Sequence, residues 1–520
     1  MINAVGRDIP DYLLKDGREV YQGKNYKDGE YFKKASPRVR KYEKPVENKL
    51  CASIREACEK CGAHDGMTFS FHTEFRDGDY VAAMVCRVLV EEMGLKDIHV
   101  AATSLGTAQD IFADYMEQGI IVEAQTSGVR GRIGEVISAG KLKNPAIIRS
   151  HGGRPRAVEA GEVHIDIAFL AASTSDCCGN AKGQGGKNNC GSMGFAMHDA
   201  HYADHTVIIT DTLVPFPNLP SSISCIDVDA VCVVDAIGDT KKIATKEARM
   251  TDNPRELMMA QNVANVIAAT PYFKDGFSFQ TGVGGPSLAV NRFLEEHMRE
   301  KNIKMSFALG GTSSAICALQ DKGLVEYILD TQDFDQGAAA HLFSNPHHIE
   351  IDLSEYANAS NKGAYVNKLD YVVLSALEID TKFNVNVITG SDGVLRGAPG
   401  GHPDTAAGSK CCIIVTPLVR GRMATVCKDV VTVTTPGDCV DVLVTDYGIA
   451  VNPLRQDIIE CLDKAGVKHV TIESLQEKAY SLVGEPDPLE WEDQVVAIVE
   501  ARDGTILDVV RKVKPFSFDN

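Results

Sequence analysis

Short apolar runs alternate with amphipathic stretches along most of the chain. That alternation predicts an α/β fold with largely parallel sheets. After the turn Asp65-Gly66, MTFSF reads as a strand. DYVAAMVCRVLVEEMG follows as a helix, its apolar stripe running through Val81, Met84, Val85, Val88 and Leu89. Next come strand IHVAATS, helix TAQDIFADYMEQG, strand IIVEAQT, helix GRIGEVISAG and strands PAIIRSH and VHIDIAFLAAS. Upstream, the spacing of Leu50, Ile54, Ala57 and Cys61 predicts a helix from about Pro45 through ENKLCASIREACEKCG. Downstream, Thr251, Asp252 and Asn253 offer caps for a long helix with Pro254 at its first position. The tail reads as helix RQDIIECLDKAG, strand VKHVTIES, helix SLQEKAYSLVG and two strands joined by a hairpin turn at Arg502–Thr505.

The pattern repeats at a spacing of roughly 210 residues. Asp65-Gly66 before a strand matches Asp275-Gly276 before FSF. Asp166 matches Asp370, the pair Asp176 and Asn180 matches Asp380 and Asn384, and Asp229 matches Asp441. The expected organisation is an N-terminal arm (1–46), a first α/β domain (47–250), and a second copy with a C-terminal extension (251–520). In the arm, YFKKASPRVRKYEK reads as a solvated face.

Composition narrows the function classes. The 520 residues are 44% apolar, ample for large cores, and the formal charge of −18 argues against nucleic-acid or anionic-membrane surfaces. No stretch reaches the length of a membrane span, and the N-terminus shows no apolar leader pattern, so a cytoplasmic protein is expected. Fifteen Cys form no regular framework and read as reduced thiols. Cys58-x-x-Cys61 with His64 lacks a second ligand pair, and both Cys fit a helix's apolar face. His347-His348 reads as a solvated loop. No metal set is expected.

Glycine-rich loops between these elements are the candidate chemistry. Gln280–Pro286 lies between a strand and a helix, where Gly282, Gly284 and Gly285 would offer backbone N–H groups to an anion or oxyanion. Gly310 and Gly311 form a second loop. The third is GSDGVLRGAPGGHPD, Gly390 to Asp404, whose first-copy counterpart is CGNAKGQGGKNNCGSMG. Arg130, Arg132, Arg420 and Arg422 flank glycines after apolar strands, as planar donors for a polycarboxylate would.

Together, TGVGGPSLAVNRFLE, SFALGG, LSALEIDTKFNVNV, NVITGSDGVLRGAPGGHPDTA, VTDYGIAVNPLR, HIDIAFL and MTDNPREL resemble the coenzyme A transferase superfamily and, within it, the citrate lyase alpha subunits. The resemblance spans nearly the whole chain. It implies two tandem coenzyme A transferase-like domains and an enzyme that moves a carrier-protein thiol from acetate to citrate. The co-substrate is then coenzyme A or the phosphoribosyl-dephospho-coenzyme A group of an acyl carrier protein (gamma) subunit, with no tightly bound cofactor. A beta subunit would cleave the citryl thioester, and a homo-oligomer is expected.

Relatives that work through a covalent thioester carry Glu in a Ser-Glu-Asn-Gly run. Aligned on its last Gly, Gly390-Ser391-Asp392-Gly393 puts Ser391 at that Glu. The resemblance therefore implies direct transfer in a ternary complex, with Asp392 as rival nucleophile. Oxyanion donors would come from Gly282–Gly285 and Gly390–Gly393. Arg396, Gly400, Gly401 and Arg420 or Arg422, with Arg130 and Arg132, would hold citrate; Gly310, Gly311, Gly397 and Asp404 would hold the thioester arm. A citramalate transferase and a non-catalytic scaffold are the alternatives.

Overall fold

The computed structural model describes residues 1–30, 47–72, 74–243, 251–282 and 284–514. The basic run of the arm, the expected boundary near residue 250 and Val283 of the first glycine loop fall outside them.

The first sheet takes β1 (Leu50–Cys51), β2 (Thr68–Phe71), β3 (Ile98–Ala102), β4 (Ile121–Thr126), β5 (Ala146–Ile148), β6 (Ile167–Ala172), β7 (His205–Thr210) and β8 (Ala230–Val233). The second takes β9 (Phe277–Thr281), β10 (Met305–Thr312), β11 (Val325–Asp333), β12 (His348–Glu350), β13 (Tyr371–Leu374), β14 (Cys411–Val415), β15 (Val442–Val444) and β16 (Ile449–Val451). Strand order is β8-β7-β6-β2-β3-β4-β5 in one and β15-β14-β13-β9-β10-β11-β12 in the other, so the two sheets are copies. Both seven-strand series are parallel; β16 adds antiparallel to β15. Two final strands, β17 (Trp491–Glu500) and β18 (Ile506–Val513), form the expected hairpin. They join the first sheet, with β17 parallel to β5.

The duplication extends to side chains that terminate the repeated loops. Asp166 Oδ2 accepts from Thr68 N at 2.7 Å, and Asp370 Oδ2 from Ser278 N at 2.9 Å. Asp176 Oδ1 accepts from Asn180 N while Asn180 Nδ2 donates to Asp176 Oδ2 at 2.8 Å; Asp380 and Asn384 repeat the pair at 3.1 Å. Asp229 accepts from Thr206 N and Asp441 from Cys412 N. Asp176 and Asp380 close turns, and the other four carboxylates tie separate segments together by taking up backbone N–H groups that would otherwise be unpaired.

Several expected elements differ. The helix expected from Pro45 begins at Ile54, capped by Ser53, because Leu50 and Cys51 are drawn into β1 against β8. VKHVTIES contributes one bridge, Val470 to Ala450, before the helix Ile472–Val483. The segment FNVNVIT before the third glycine loop, whose apolar residues suit a longer strand, forms only the two-residue strand Val385–Asn386. Cys58 and Cys61 are buried in the first core, and His64 bonds to the Asp65 carbonyl. The described part of the arm packs on β18: Asn3 Nδ2 donates to the Leu507 carbonyl at 2.7 Å. Helix Pro254–Ala269 starts as expected, with the Asn253 side chain accepting from Arg255 N. No helix among the described residues is long and apolar enough to cross a membrane.

Candidate functional site

Parallel strands of a duplicated sheet leave their C-terminal ends, with unpaired backbone and short polar loops, on one side. Here both sheets aim those ends at one cavity of about 300 Å³. The first half supplies Arg76 and Asp77 beyond β2, Ser104 beyond β3, Ser127 and Arg130 beyond β4, and His151 beyond β5. The second supplies Gln280 to Gly282 from β9, Gly311 from β10, Thr331 and Gln332 from β11, and Leu374 and Ser375 from β13. Ala398 to His402 close the seam.

The third glycine loop divides at Leu395. That side chain is buried in the first half's core, and Leu395 N donates to Ser138 Oγ at 2.9 Å. Beyond it, the Gly397 carbonyl accepts from Val129 N, and the Gly400 carbonyl accepts from His151 N at 2.8 Å. A Cβ at Gly397 would overlap the Val387 carbonyl, so glycine is required for this close approach. Asp404 is buried and accepts from Ser150 Oγ at 2.7 Å and Gly152 N at 2.9 Å, holding the loop that carries His151. Burial pushes its carboxyl up to about 6.

Before Leu395 the same loop turns outward. Ser391 is exposed, with Oγ at 2.9 Å from Met423 Sδ. Asp392 pairs with Arg396 at 2.5 Å, both half-exposed. Gly390 N donates to the Val394 carbonyl and Gly393 N to the Gly390 carbonyl, so the turn consumes these expected oxyanion donors itself. Gly282 N is likewise spent on the Val373 carbonyl at 2.8 Å.

Among the expected residues, the structure brings Arg130, Gly282, Gly311, Gly400 and Gly401 together around the cavity. Gly284 and Gly285 open the helix Gly285–Lys301 immediately behind Gly282. Gly310 takes a positive φ of 96° against the Gln280 side chain, one residue behind Gly311. Gly397 and Asp404 stand behind the wall. Ser391, Asp392, Gly393 and Arg396 are outside the lining set, as are Arg132, paired with Asp114 and Glu117, and the exposed Arg422. Arg420 donates to the Ala376 carbonyl at 3.1 Å.

Sequence reasoning missed Arg76, Asp77 and Tyr356, all cavity-lining; Gln280 and His402 lie in the expected glycine loops and His151 opens the glycine- and arginine-bearing run His151–Arg156, none of the three with a role assigned. Arg76 takes a positive φ of 52° and lays its guanidinium over the Phe334 ring, 5.2 Å from the centroid. Gln280 Nε2 donates to the Tyr356 hydroxyl at 2.8 Å, and its buried Oε1 has no partner among the described residues. Burial pushes His151 down to about 3 and His402 to about 4, so both are neutral near pH 7. His402 Nε2 donates to the Ser375 carbonyl at 2.9 Å, leaving Nδ1 to accept from Thr435 Oγ1 at 2.7 Å. Positive charge at the cavity therefore comes from Arg76 and Arg130. Among the described residues lining it, Asp77 is the one carboxylate.

Two copies of one parallel-sheet domain, meeting over a glycine-walled, arginine-bearing cavity at their strand ends, define a coenzyme A transferase-like enzyme. The model for the citrate lyase alpha subunit matches residues 47–513. The chain belongs to the citrate lyase alpha subunit family. It is 52% identical over 472 residues to the Escherichia coli K12 citrate lyase alpha chain, covering 91% of this chain and 92% of that one. It is 48% identical over 503 residues to the Klebsiella pneumoniae alpha chain, covering 97% of both. A crystal structure of the citrate lyase alpha subunit from Streptococcus mutans in complex with citrate is 50% identical, with a TM-score of 0.95 over 99% of this chain and 100% of that one. The malonate decarboxylase alpha subunit from Acinetobacter baumannii shares the fold, with a TM-score of 0.60 at 16% identity over 82% of this chain and 86% of that one.

Proposed function

We propose that this enzyme transfers a thiol from an acetyl thioester to citrate, and does so directly in the cavity between its halves. The observation that carries this reading is the cavity itself. It joins two arginines, two neutral histidines and glycine-edged strand ends from both halves, and its one described lining carboxylate is Asp77. The citrate complex of the Streptococcus mutans relative supports citrate as the acid.

In the proposed reaction a citrate carboxylate oxygen attacks the acetyl carbonyl. The thiolate leaves and a citryl–acetyl mixed anhydride forms. The thiolate then attacks the citryl carbonyl, and acetate leaves carrying the oxygen that citrate donated. Arg76 and Arg130 hold the remaining carboxylates as planar donors. The first turn of helix Gly285–Lys301, opened by Gly284 and Gly285, and the edge at Gly310 and Gly311 face the two successive oxyanions. The His402 tautomer fixes Ser375 on the wall, and Asp404 positions His151 through Ser150 and Gly152. Gly397, Gly400 and Gly401 shape the seam through which the thioester arm enters. Proximity in a pre-formed cavity then replaces the enzyme nucleophile.

The co-substrate is coenzyme A or the carrier-protein prosthetic group, and a lyase subunit consumes the citryl thioester. The two sheets with their helices are the two folding units, the final hairpin belonging with the first. Purified protein supplied with acetyl-coenzyme A and citrate should form citryl-coenzyme A and acetate. No product with citrate, but turnover with citramalate, would move the reading to the other acid. No exchange with either, with or without carrier protein, would make this chain a scaffold.

A further inference from the structure

The end of β11 carries a second constellation behind the cavity wall. In a regular strand Asp330 and Asp333 would point to opposite faces, because side chains alternate. The pairing with β10 breaks that rule: Gly310 opposes Asp330, Gly311 opposes Gln332 and Thr312 opposes Asp333. Thr331 is the extra residue of a bulge. Two partner steps therefore separate the two Asp, which places them on one face, while Thr331 and Gln332 turn to the cavity. Both carboxylates are fully buried.

His348 completes the group. The residue is 4% exposed on β12, not on a solvated loop, because β12 pairs with β11 at Ile328 to Asp330. His348 Nε2 lies 3.3 Å from Asp330 Oδ2. One donor atom each from Asp330, Asp333 and His348 lie within 4.8 Å of one another. Asp333 Oδ2 accepts from Ser192 N at 2.9 Å, but its buried Oδ1 has no hydrogen-bond partner among the described residues. Among the described residues, the ion pair made by either Asp is the one with His348. Two carboxylates side by side in a buried interior cost several kcal/mol unless a cation or a shared proton offsets them.

We infer that Asp330, Asp333 and His348 form a structural site for one divalent first-row transition metal, zinc being the best match. Two carboxylate oxygens and one imidazole nitrogen are zinc-type donors, whereas magnesium prefers an all-oxygen, hydrated shell. His341 supplies the outer support, its Nδ1 3.0 Å from His348 Nδ1. The ion would pin the bulge that presents Thr331 and Gln332 to the cavity. Through Asp333 and Ser192 it would also clamp the first half's glycine loop, where a Cβ on Gly191 would overlap Asp333 Oδ2.

The test is elemental analysis of untagged full-length protein, incubated with zinc and desalted. Near-stoichiometric zinc is expected in the wild type and in the surface control Asp463→Asn. Asp333→Asn and His348→Gln should lose most of it. Cobalt substitution is the second readout, independent of variant folding: wild-type protein should show visible d–d absorption that zinc abolishes and magnesium does not. Wild-type protein that retains neither zinc nor cobalt would overturn the site, and so would variants that fold and keep the wild-type metal content. In either case the two Asp share a proton instead.

Discussion

Arg130 and Arg76 carry the claim that the cavity binds a polycarboxylate, and the effect of Arg130 is separable from folding. Arg130 is exposed at the rim, so removing its side chain leaves no buried partner unpaired. Arg130→Ala should raise KM for citrate by roughly ten- to a hundredfold, the worth of one charge-assisted contact, with Tm unchanged. Steady-state kinetics and a thermal melt check this together. Glu74 makes a different, pH-dependent prediction. Its carboxyl is buried, and burial raises it from the ordinary 4.5 to about 8. The folded state therefore keeps a proton that the unfolded chain has lost. That contribution is complete below pH 4.5 and disappears as pH rises to 8. Relative to Glu74→Gln, wild-type stability should fall across this window, with a slope of up to about 1.4 kcal/mol per pH unit. Parallel denaturant titrations at several pH values measure it; a pH-independent difference would show that Glu74 is not held neutral.

At the scale of elements, the third glycine loop was legible as a loop, but its division was not. Leu395 is an ordinary apolar residue in sequence, and only its burial in the other half's core shows where the loop crosses the seam. Ala398 to His402 reach the cavity; Ser391, Asp392 and Arg396 stay on the surface. Ser391→Ala and Arg396→Ala should accordingly keep most activity. Gly397→Val, which drives a side chain into the Val387 carbonyl, should cost about 1–3 kcal/mol of stability and abolish turnover. Kinetics and melting of the three variants decide this; loss of activity in Ser391→Ala without loss of stability would return the chemistry to the outer turn. The repeated Asp residues were readable because each takes up backbone N–H groups within its own copy. The bulge at Thr331 was not, since it depends on register with β10, and His348 was misplaced because its burial comes from a neighbouring strand.

At the scale of the whole molecule, the duplicated fold was the most legible feature, because both copies carry the same strand and carboxylate pattern. The cavity was the least legible. It gathers residues from Arg76 to His402, each contributing one or two side chains at a strand end, so no local motif announces it. The last hairpin shows the same limit: near the end of the chain in sequence, it extends the first sheet through β5. Deleting residues 491–520 should expose β5, lower the Tm sharply and abolish transfer; a melt equal to the wild type would show that the first sheet does not need the hairpin. The central claim, transfer without an enzyme nucleophile, is tested most directly by a single turnover with citrate labelled by ¹⁸O in its carboxylates. Protein in excess over acetyl-coenzyme A is quenched after one turnover, and the released acetate is analysed by mass spectrometry. Direct attack predicts one ¹⁸O atom in that first acetate and none in the protein. Unlabelled acetate, with ¹⁸O appearing in Asp77 or another carboxylate of the enzyme, would contradict it.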